Sequence, residues 1–125
     1  MNINEYKIKD NLTKEELLLQ GFTNYNKDYL YYVTPLSKTV SLNISIPIRQ
    51  QKIDTNETEI EVLDDDFLQP YHPFYMWLET SNSNTFPTLD KIIKNYIKEM
   101  DSLVEKGIFI KNEQEKEKPK KRVRK

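Results

Sequence analysis

The sequence predicts an α+β fold, in which an antiparallel sheet of about four or five strands carries one long amphipathic helix on one face. Residues 40–46 alternate strictly between apolar and polar side chains, which is the pattern of a strand with one buried face. Residues 89–106 place apolar side chains at helical spacing along one continuous stripe. Both glycines of the chain, Gly21 and Gly107, stand where predicted helices end, so independent signals agree.

The N-terminal part of the chain predicts a short strand followed by a short helix. The first nine residues carry Ile3, Tyr6 and Ile8 in a strand-like segment. Thr13 and Glu16 have the spacing of a capping box, in which each side chain binds a backbone N–H of the other residue. The helix is expected to end before Gly21, because a left-handed residue fits at that position.

Residues 22–25 and 29–33 predict a β-hairpin whose arms are rich in tyrosine. Thr34-Pro35 is expected to end the second arm, because proline cannot donate a hydrogen bond to a neighbouring strand. Adjacent residues of a strand face opposite sides of the sheet. Either Tyr31 or Tyr32 is therefore expected on the outer face.

Two further strands carry most of the predicted sheet core. The strand at 40–46 is expected to end at Pro47 or to lie at an edge of the sheet. The strand at 58–63 is expected to direct Glu59 and Glu61 outward. The side chains expected on the buried face are Val40, Leu42, Ile44, Ile46, Ile60 and Val62.

The segment between this strand and the long helix is rich in turn-forming residues. Three consecutive aspartates at 64–66 are expected to end the strand. Residues 67–79 are aromatic and interrupted by prolines, and they predict a loop that ends in a strand at 74–79. A polar loop is expected over residues 81–84.

The long helix is expected to have Thr88 as its N-cap, and Ile108-Phe109-Ile110 predicts a last short strand. From Lys111 the apolar pattern disappears. The sequence therefore predicts one domain over residues 1–110, followed by a disordered basic C-terminal tail over residues 111–125.

Charge is divided between these two parts. Residues 1–110 carry 11 basic and 17 acidic side chains, a net charge of −6, whereas the tail carries 8 basic and 3 acidic side chains, a net charge of +5. An acidic body with a basic tail points to charged macromolecular partners.

Composition excludes several classes of function. The chain has no cysteine, a single histidine (His72) and two glycines, so disulfides, thiolate metal sites, multi-histidine sites and glycine-rich phosphate loops are absent. We therefore expect no enzyme, no cofactor and no metal site. The N-terminus lacks the pattern of a signal peptide, and no stretch approaches the length of a membrane span, so we expect a cytoplasmic protein.

Residues 54–66 contain seven carboxylates and no basic side chain. Alternating carboxylates on a strand give a linear array spaced about 6.5–7 Å apart, which resembles the phosphates of an extended nucleic acid and could dock in a basic groove of a protein. The plainer interpretation, which we favour for the run as a whole, is a solvated strand face whose charges discourage edge pairing. The candidate residues for protein binding are Glu57, Glu59, Glu61, Asp64, Asp65 and Asp66.

The aromatic segment and the tail supply two more candidate contacts. Exposed members of the aromatic segment would form a strong protein-binding cluster, although the pattern favours a place in the core; the candidates are Tyr71, Tyr75 and Trp77. The tail could bind phosphates, or it could simply keep the chain soluble, and the sequence favours neither. Its candidate nucleic-acid-binding residues are Lys120, Lys121, Arg122, Arg124 and Lys125.

A compositional resemblance adds to these expectations. The chain is rich in Lys, Asn, Ile and Tyr, opens its first helix with Thr13-Lys14-Glu15-Glu16-Leu17-Leu18, and follows Gly107-Ile108-Phe109 with a short basic terminus. In these features it resembles the small proteins of phages and prophages from AT-rich Gram-positive bacteria. The resemblance implies a protein that binds a host or defence factor, or an accessory of phage DNA metabolism, and it assigns no role to a particular residue.

The leading hypothesis is therefore a non-enzymatic binding protein that inhibits or adapts a nucleic-acid-handling host or defence factor through protein–protein contact. One alternative is an accessory protein that binds nucleic acid through its basic tail. Another is a structural or assembly protein, which would associate through the open face of its sheet.

Overall fold

The computed structural model describes residues 6–50, 52–80 and 88–111, and it confirms the α+β class. The strands are β1 (Tyr6–Ile8), β2 (Thr23–Asn26), β3 (Tyr29–Pro35), β4 (Val40–Arg49), β5 (Lys52–Ile53), β6 (Glu59–Asp64), β7 (Gln69–Pro70) and β8 (Phe109–Lys111). The helices are α1 (Lys14–Leu19), α2 (His72–Thr80) and α3 (Leu89–Glu105), with a single 3₁₀ turn at Thr55–Glu57. The predicted residue Ile3, the loop at 81–84 and the tail residues beyond Lys111 lie outside the described residues.

An antiparallel six-stranded sheet forms the centre of the fold. Its strand order is β2-β3-β4-β6-β7, and β5 pairs with the far end of β4. β1 and β8 form a separate two-stranded antiparallel sheet, which joins the two ends of the described chain. The predicted hairpin is confirmed as β2 and β3, and the two predicted short terminal strands are confirmed as β1 and β8.

The core lies between the inner face of the six-stranded sheet and α3. The predicted inward residues of β4 (Val40, Leu42, Ile44 and Ile46) are all buried, as is Val62 of β6. The apolar stripe of α3 buries Leu89, Ile92, Ile93, Tyr96, Met100 and Leu103 in the same core. The Asn95 side chain of α3 donates a hydrogen bond of 2.8 Å to the Leu36 carbonyl, which ties the helix to the loop between β3 and β4.

Residues 67–79 fold differently from the prediction of a loop and strand. They form β7 and then the helix α2, which begins at His72. Pro73 is the second residue of this helix. N–H groups in the first turn make no hydrogen bond within the helix, so proline, which lacks this group, is compatible with that position. Phe74 is fully buried, and its ring centroid lies 4.9 Å from that of Tyr96 on α3. The prolines thus do not mark a loop: Pro70 lies in β7, and Pro73 lies in the first turn of a helix that packs against the core.

β3 ends at its proline as predicted, whereas β4 continues past the proline that was expected to end it or to lie at an edge. β3 includes Pro35, and β4 runs through Pro47 to Arg49. The N–H groups of the following residues, Leu36 and Ile48, donate hydrogen bonds across the β3–β4 ladder, so each proline nitrogen points away from that ladder. Pro47 lies beyond the last β4–β6 pair, where no N–H is required. Proline is therefore compatible with both positions.

Helix ends follow the predicted signals in all but one place. Thr13 and Glu16 form the expected capping box: the Thr13 N–H donates to Glu16 at 2.8 Å, and the Glu16 N–H donates to the Thr13 hydroxyl at 3.1 Å. Gly21 and Gly107 both have positive φ, 104° and 83°. Thr88 precedes α3 as predicted, but its backbone is helical and its side chain makes no capping hydrogen bond.

Gly107→Ala is expected to lower the free energy of unfolding by about 1–2 kcal/mol. Apart from its two chain neighbours, no residue has an atom within 4 Å of the position that a Cβ would occupy, so the loss arises from the left-handed backbone. Chemical denaturation measures this loss. Gly107→Asn is the matched variant and is expected to lose less, because asparagine tolerates a left-handed backbone better than alanine. Equal losses for the two variants would contradict this explanation.

Candidate protein-binding face

The outer face of the six-stranded sheet lies opposite the core, and no described element covers it. The ladder register aligns two rows across β3, β4 and β6: Tyr31, Ser45 and Glu59 form one row, and Val33, Asn43 and Glu61 form the other. Together with Tyr29, which is two residues from Tyr31 on β3, these residues form what we call the open face. The ring centroids of Tyr29 and Tyr31 lie 5.8 Å apart, and Val33 is 57% exposed.

Two predicted acidic residues lie on the open face. Glu59 and Glu61 are exposed and outward-facing, as the alternation of β6 predicts. As residues i and i+2 of one strand, they place their carboxylates on the same side about 6.5–7 Å apart. Neither makes an ion pair with any side chain of the described ranges. Two negative charges thus remain available on the same face as two tyrosine rings and a valine, with β4 between the two groups.

The other predicted acidic residues lie in turns or, in the case of Asp64, at the end of β6, and none belongs to the open face. Glu57 is exposed at the end of the 3₁₀ turn. Asp64 accepts a hydrogen bond of 3.0 Å from the Asp66 N–H, and Asp65 accepts one of 2.7 Å from the Ser41 hydroxyl. These bonds shape the turn between β6 and β7. Among the residues that the structure describes, no three His, Asp or Glu side chains are placed to hold a metal ion.

The predicted aromatic residues Tyr71, Tyr75 and Trp77 lie on and beside α2, where each is partly buried and packs against the core. The Tyr75 hydroxyl accepts a hydrogen bond of 3.0 Å from the Val62 N–H at the free edge of β6. Burial raises the pKa of this hydroxyl, the bond to Val62 opposes the shift, and the Glu61 carboxylate adds to it. The structure therefore does not bring these three aromatic residues onto the open face with Glu59 and Glu61.

The hairpin tyrosines supply the aromatic part of the open face instead. Tyr31 faces outward, and Tyr32 faces the core, where its ring centroid lies 5.2 Å from that of Phe22. The Tyr32 hydroxyl donates a hydrogen bond of 3.1 Å to Glu99 on α3. Sequence alternation showed that one of the two rings must face outward. Which ring does so depends on the β3–β4 register, in which Tyr32 pairs with the inward-facing Ile44.

Tyr32 makes the stability of the fold sensitive to high pH. Burial, followed by the nearby Glu99 carboxylate and its hydrogen bond, raises the pKa of the Tyr32 hydroxyl from 10.0 to about 12. The folded protein therefore keeps this proton at pH values where the unfolded chain has lost it. The resulting stabilisation is fully present below pH 10 and is lost as the pH rises through about 12.

Tyr32→Phe is therefore expected to make the loss of stability between pH 10 and about 12 shallower. Denaturation with urea at a series of pH values measures this slope. Tyr31→Phe, on the outer side of the same strand, is the matched control and should leave the slope close to that of the wild type. A Tyr32→Phe slope identical to that of the wild type would rule out the proposed cause.

Two other exposed features lie away from the open face, and a cleft borders it. Phe67 and Leu68 are exposed at the tip of the turn between β6 and β7, and Leu68 has a positive φ of 54°. His72 is exposed at the start of α2. A cleft of about 530 Å³ separates β6 from β1 and is lined by Tyr6, Lys7, Ile8, Asp10, Thr55, Asn56, Thr58, Glu59, Ile60, Glu61 and Phe109.

Comparison with known proteins returned no match: no family model fits the chain, and no curated protein or solved structure is significantly similar to it. Within the described residues, no helix has the length and apolar character needed to cross a membrane.

Proposed function

We propose that this protein is a non-enzymatic binding protein that acts by protein–protein contact through its open face. The observation that carries the proposal is the composition of that face, on which β4 separates Tyr29, Tyr31 and Val33 of β3 from Glu59 and Glu61 of β6. No element among the described residues covers these side chains. Tyrosines supply much of the binding energy of protein interfaces, and a surrounding rim of charge gives specificity.

The two carboxylates favour a basic partner surface. Their spacing of about 6.5–7 Å on one side of a strand is close to the phosphate step of an extended nucleic-acid strand. A protein groove that normally holds nucleic acid would present complementary positive charge to this array. We therefore propose a nucleic-acid-handling host or defence factor as the partner, with this chain acting as a phage- or mobile-element-encoded inhibitor or adaptor in the host cytoplasm.

The division of charge supports a second candidate function. The tail carries a net charge of +5, and an accessory protein could use it to bind nucleic acid. Such binding would weaken steeply with salt and would be lost with the tail. The acidic domain would oppose it, because residues 1–110 carry a net charge of −6.

Affinity capture from a candidate host lysate separates these functions. The full chain and a chain that ends after Lys111, which keeps all of β8, are compared with and without nuclease. We expect one stoichiometric protein that both chains retain after nuclease treatment. Recovery of nucleic acid alone, lost on nuclease treatment or on removal of the tail, would contradict the proposal and support the accessory function. Self-association of the chain as the sole result would support an assembly role instead.

A further inference from the structure

The cleft between β6 and β1 lies between the edges of two sheets. Glu59, Ile60 and Glu61 of β6 form one wall, and Tyr6, Lys7 and Ile8 of β1 form part of the other. Its volume of about 530 Å³ lies within the range of sites that bind small ligands or short peptides. Strand edges expose backbone hydrogen-bonding groups, so such a gap is suited to an extended segment of chain.

The β6 wall presents to this cleft one residue, Ile60, whose backbone N–H and carbonyl have no hydrogen-bond partner among the described residues. The Val62 N–H donates to the Tyr75 hydroxyl, and the Val62 carbonyl accepts from the Tyr71 N–H, so the backbone of Val62 points away from β4. Ile60 lies two residues earlier in the strand, so its backbone N–H and carbonyl also point away from β4. Within the described ranges, no group bonds to the Ile60 N–H or carbonyl on this side.

The β1 wall presents backbone groups as well. The Lys9 N–H donates to the Ile108 carbonyl, so the backbone of Lys9 points toward the chain that enters β8. Ile8, one residue earlier, therefore directs its N–H and carbonyl away from β8, and it lines the cleft. An extended segment in the cleft would find hydrogen-bonding groups on both sides and would join the two sheets.

We propose that Arg122-Val123-Arg124 of the protein's own C-terminal tail docks in this cleft as an added antiparallel strand, with Val123 opposite Ile60. The two sequences are complementary residue by residue. Glu59-Ile60-Glu61 has an apolar residue between two acidic ones, and Arg122-Val123-Arg124 has an apolar residue between two basic ones. In an antiparallel pair, Arg124 lies opposite Glu59 and Arg122 lies opposite Glu61, on the same side of the sheet. Val123 then faces inward beside Ile60.

Charge and chain length both favour this occupant. The ionisable groups that line the cleft are three carboxylates (Asp10, Glu59 and Glu61), the Lys7 ammonium and the Tyr6 hydroxyl, whereas residues 118–125 contain no acidic side chain. Val123 lies twelve residues beyond Lys111, the last residue of β8. That length spans up to about 40 Å when extended. The cleft is lined by β1, the strand paired with β8, and paired strands lie only about 4.8 Å apart. The tail therefore reaches the cleft without strain.

Docking of the tail would regulate the open face. Arg122 and Arg124 would neutralise the two carboxylates that we propose as the contact with a basic partner, so the tail and the partner would compete. This consequence rests on the proposed function, but docking itself does not. The following experiment uses the isolated protein, so its failure is distinguishable from the failure of partner binding.

Disulfide trapping tests the docking in the full chain, which has no native cysteine to interfere. Opposed residues such as Glu61 and Arg122 would form a pair without mutual hydrogen bonds, with their Cα atoms about 4.5 Å apart, which suits a disulfide. The variant Glu61→Cys/Arg122→Cys is equilibrated with glutathione, and its effective thiol concentration is measured. Two matched controls are Glu61→Cys/Val123→Cys, in which the tail cysteine would face inward, and Glu79→Cys/Arg122→Cys, in which the domain cysteine lies on α2.

We expect the effective concentration for Glu61→Cys/Arg122→Cys to exceed that of both controls by about tenfold or more, and to fall toward theirs at high salt. The product should be an intramolecular disulfide at low protein concentration. Equal values for the three variants, or disulfide-linked dimers as the main product, would overturn the proposal. A higher value for the Val123 variant than for the Arg122 variant would also overturn it, because it would require the opposite face of the tail.

Discussion

Reversing both carboxylates of the open face, by Glu59→Lys with Glu61→Lys, is expected to weaken binding of the captured partner by about a hundredfold or more. Each change replaces an attraction to a basic surface with a repulsion, and loss of one partner of a buried, hydrogen-bonded interfacial charge pair typically costs about 2–5 kcal/mol. A hundredfold loss corresponds to about 2.8 kcal/mol. Both side chains are exposed, and neither makes an ion pair with another described residue. Each change should therefore alter the free energy of unfolding by less than about 0.5 kcal/mol.

The matched control reverses the same amount of charge elsewhere. Glu79 and Glu105 are exposed on α2 and α3, away from the open face, so Glu79→Lys/Glu105→Lys should retain most of the affinity. Titration calorimetry measures binding, and thermal denaturation checks folding. Equal losses of affinity in the two double variants would show that binding depends on the overall charge of the protein and not on the open face. Retained affinity in the Glu59→Lys/Glu61→Lys variant would eliminate the open face as the contact.

Phe74→Ala is expected to have the largest effect on stability, about 3–5 kcal/mol. The Phe74 side chain is fully buried, and its ring packs against Tyr96 of α3 at 4.9 Å and Trp77 at 5.7 Å. Its removal would leave a cavity between α2 and α3. A loss of this size is a large fraction of the total stability of a typical small domain.

Chemical denaturation measures this loss, and Met76→Ala supplies the control. Met76 lies two residues along the same helix but is 54% exposed, so its truncation should cost less than about 0.5 kcal/mol. A small effect of Phe74→Ala would contradict the role of α2 as part of the core. Comparable losses for the two variants would also contradict it, because alanine favours the helix at both positions and only Phe74 is buried.

Periodicity explains why most of the fold could be predicted from the sequence. The alternation in β4 and the stripe of α3 each reflect one buried face, and a buried face imposes its pattern locally. Glu59 and Glu61 were correctly placed outward on β6 for the same reason. The positive φ of Gly21 and Gly107 is likewise a local requirement of a helix end.

The features that the sequence did not predict depend on distant contacts or on proline. The prolines of residues 67–79 predict a loop and strand there, but Pro73 lies in the first turn of α2, where proline is compatible with a helix. Pairing of β1 with β8 joins residues about a hundred positions apart, and no local pattern encodes it. The same is true of the open face, because only the ladder register aligns Tyr31 with Glu59.

The most direct test of the open face as a protein contact is hydroxyl-radical footprinting of the full chain, free and bound to the captured partner. This measurement reads side-chain exposure without altering any charge. We predict that oxidation of Tyr29 and Tyr31 falls on binding, whereas oxidation of Met76, which is exposed on α2, stays constant. Unchanged oxidation of both tyrosines, with protection at Met76 or at Phe67, would place the contact elsewhere and would contradict the proposed function.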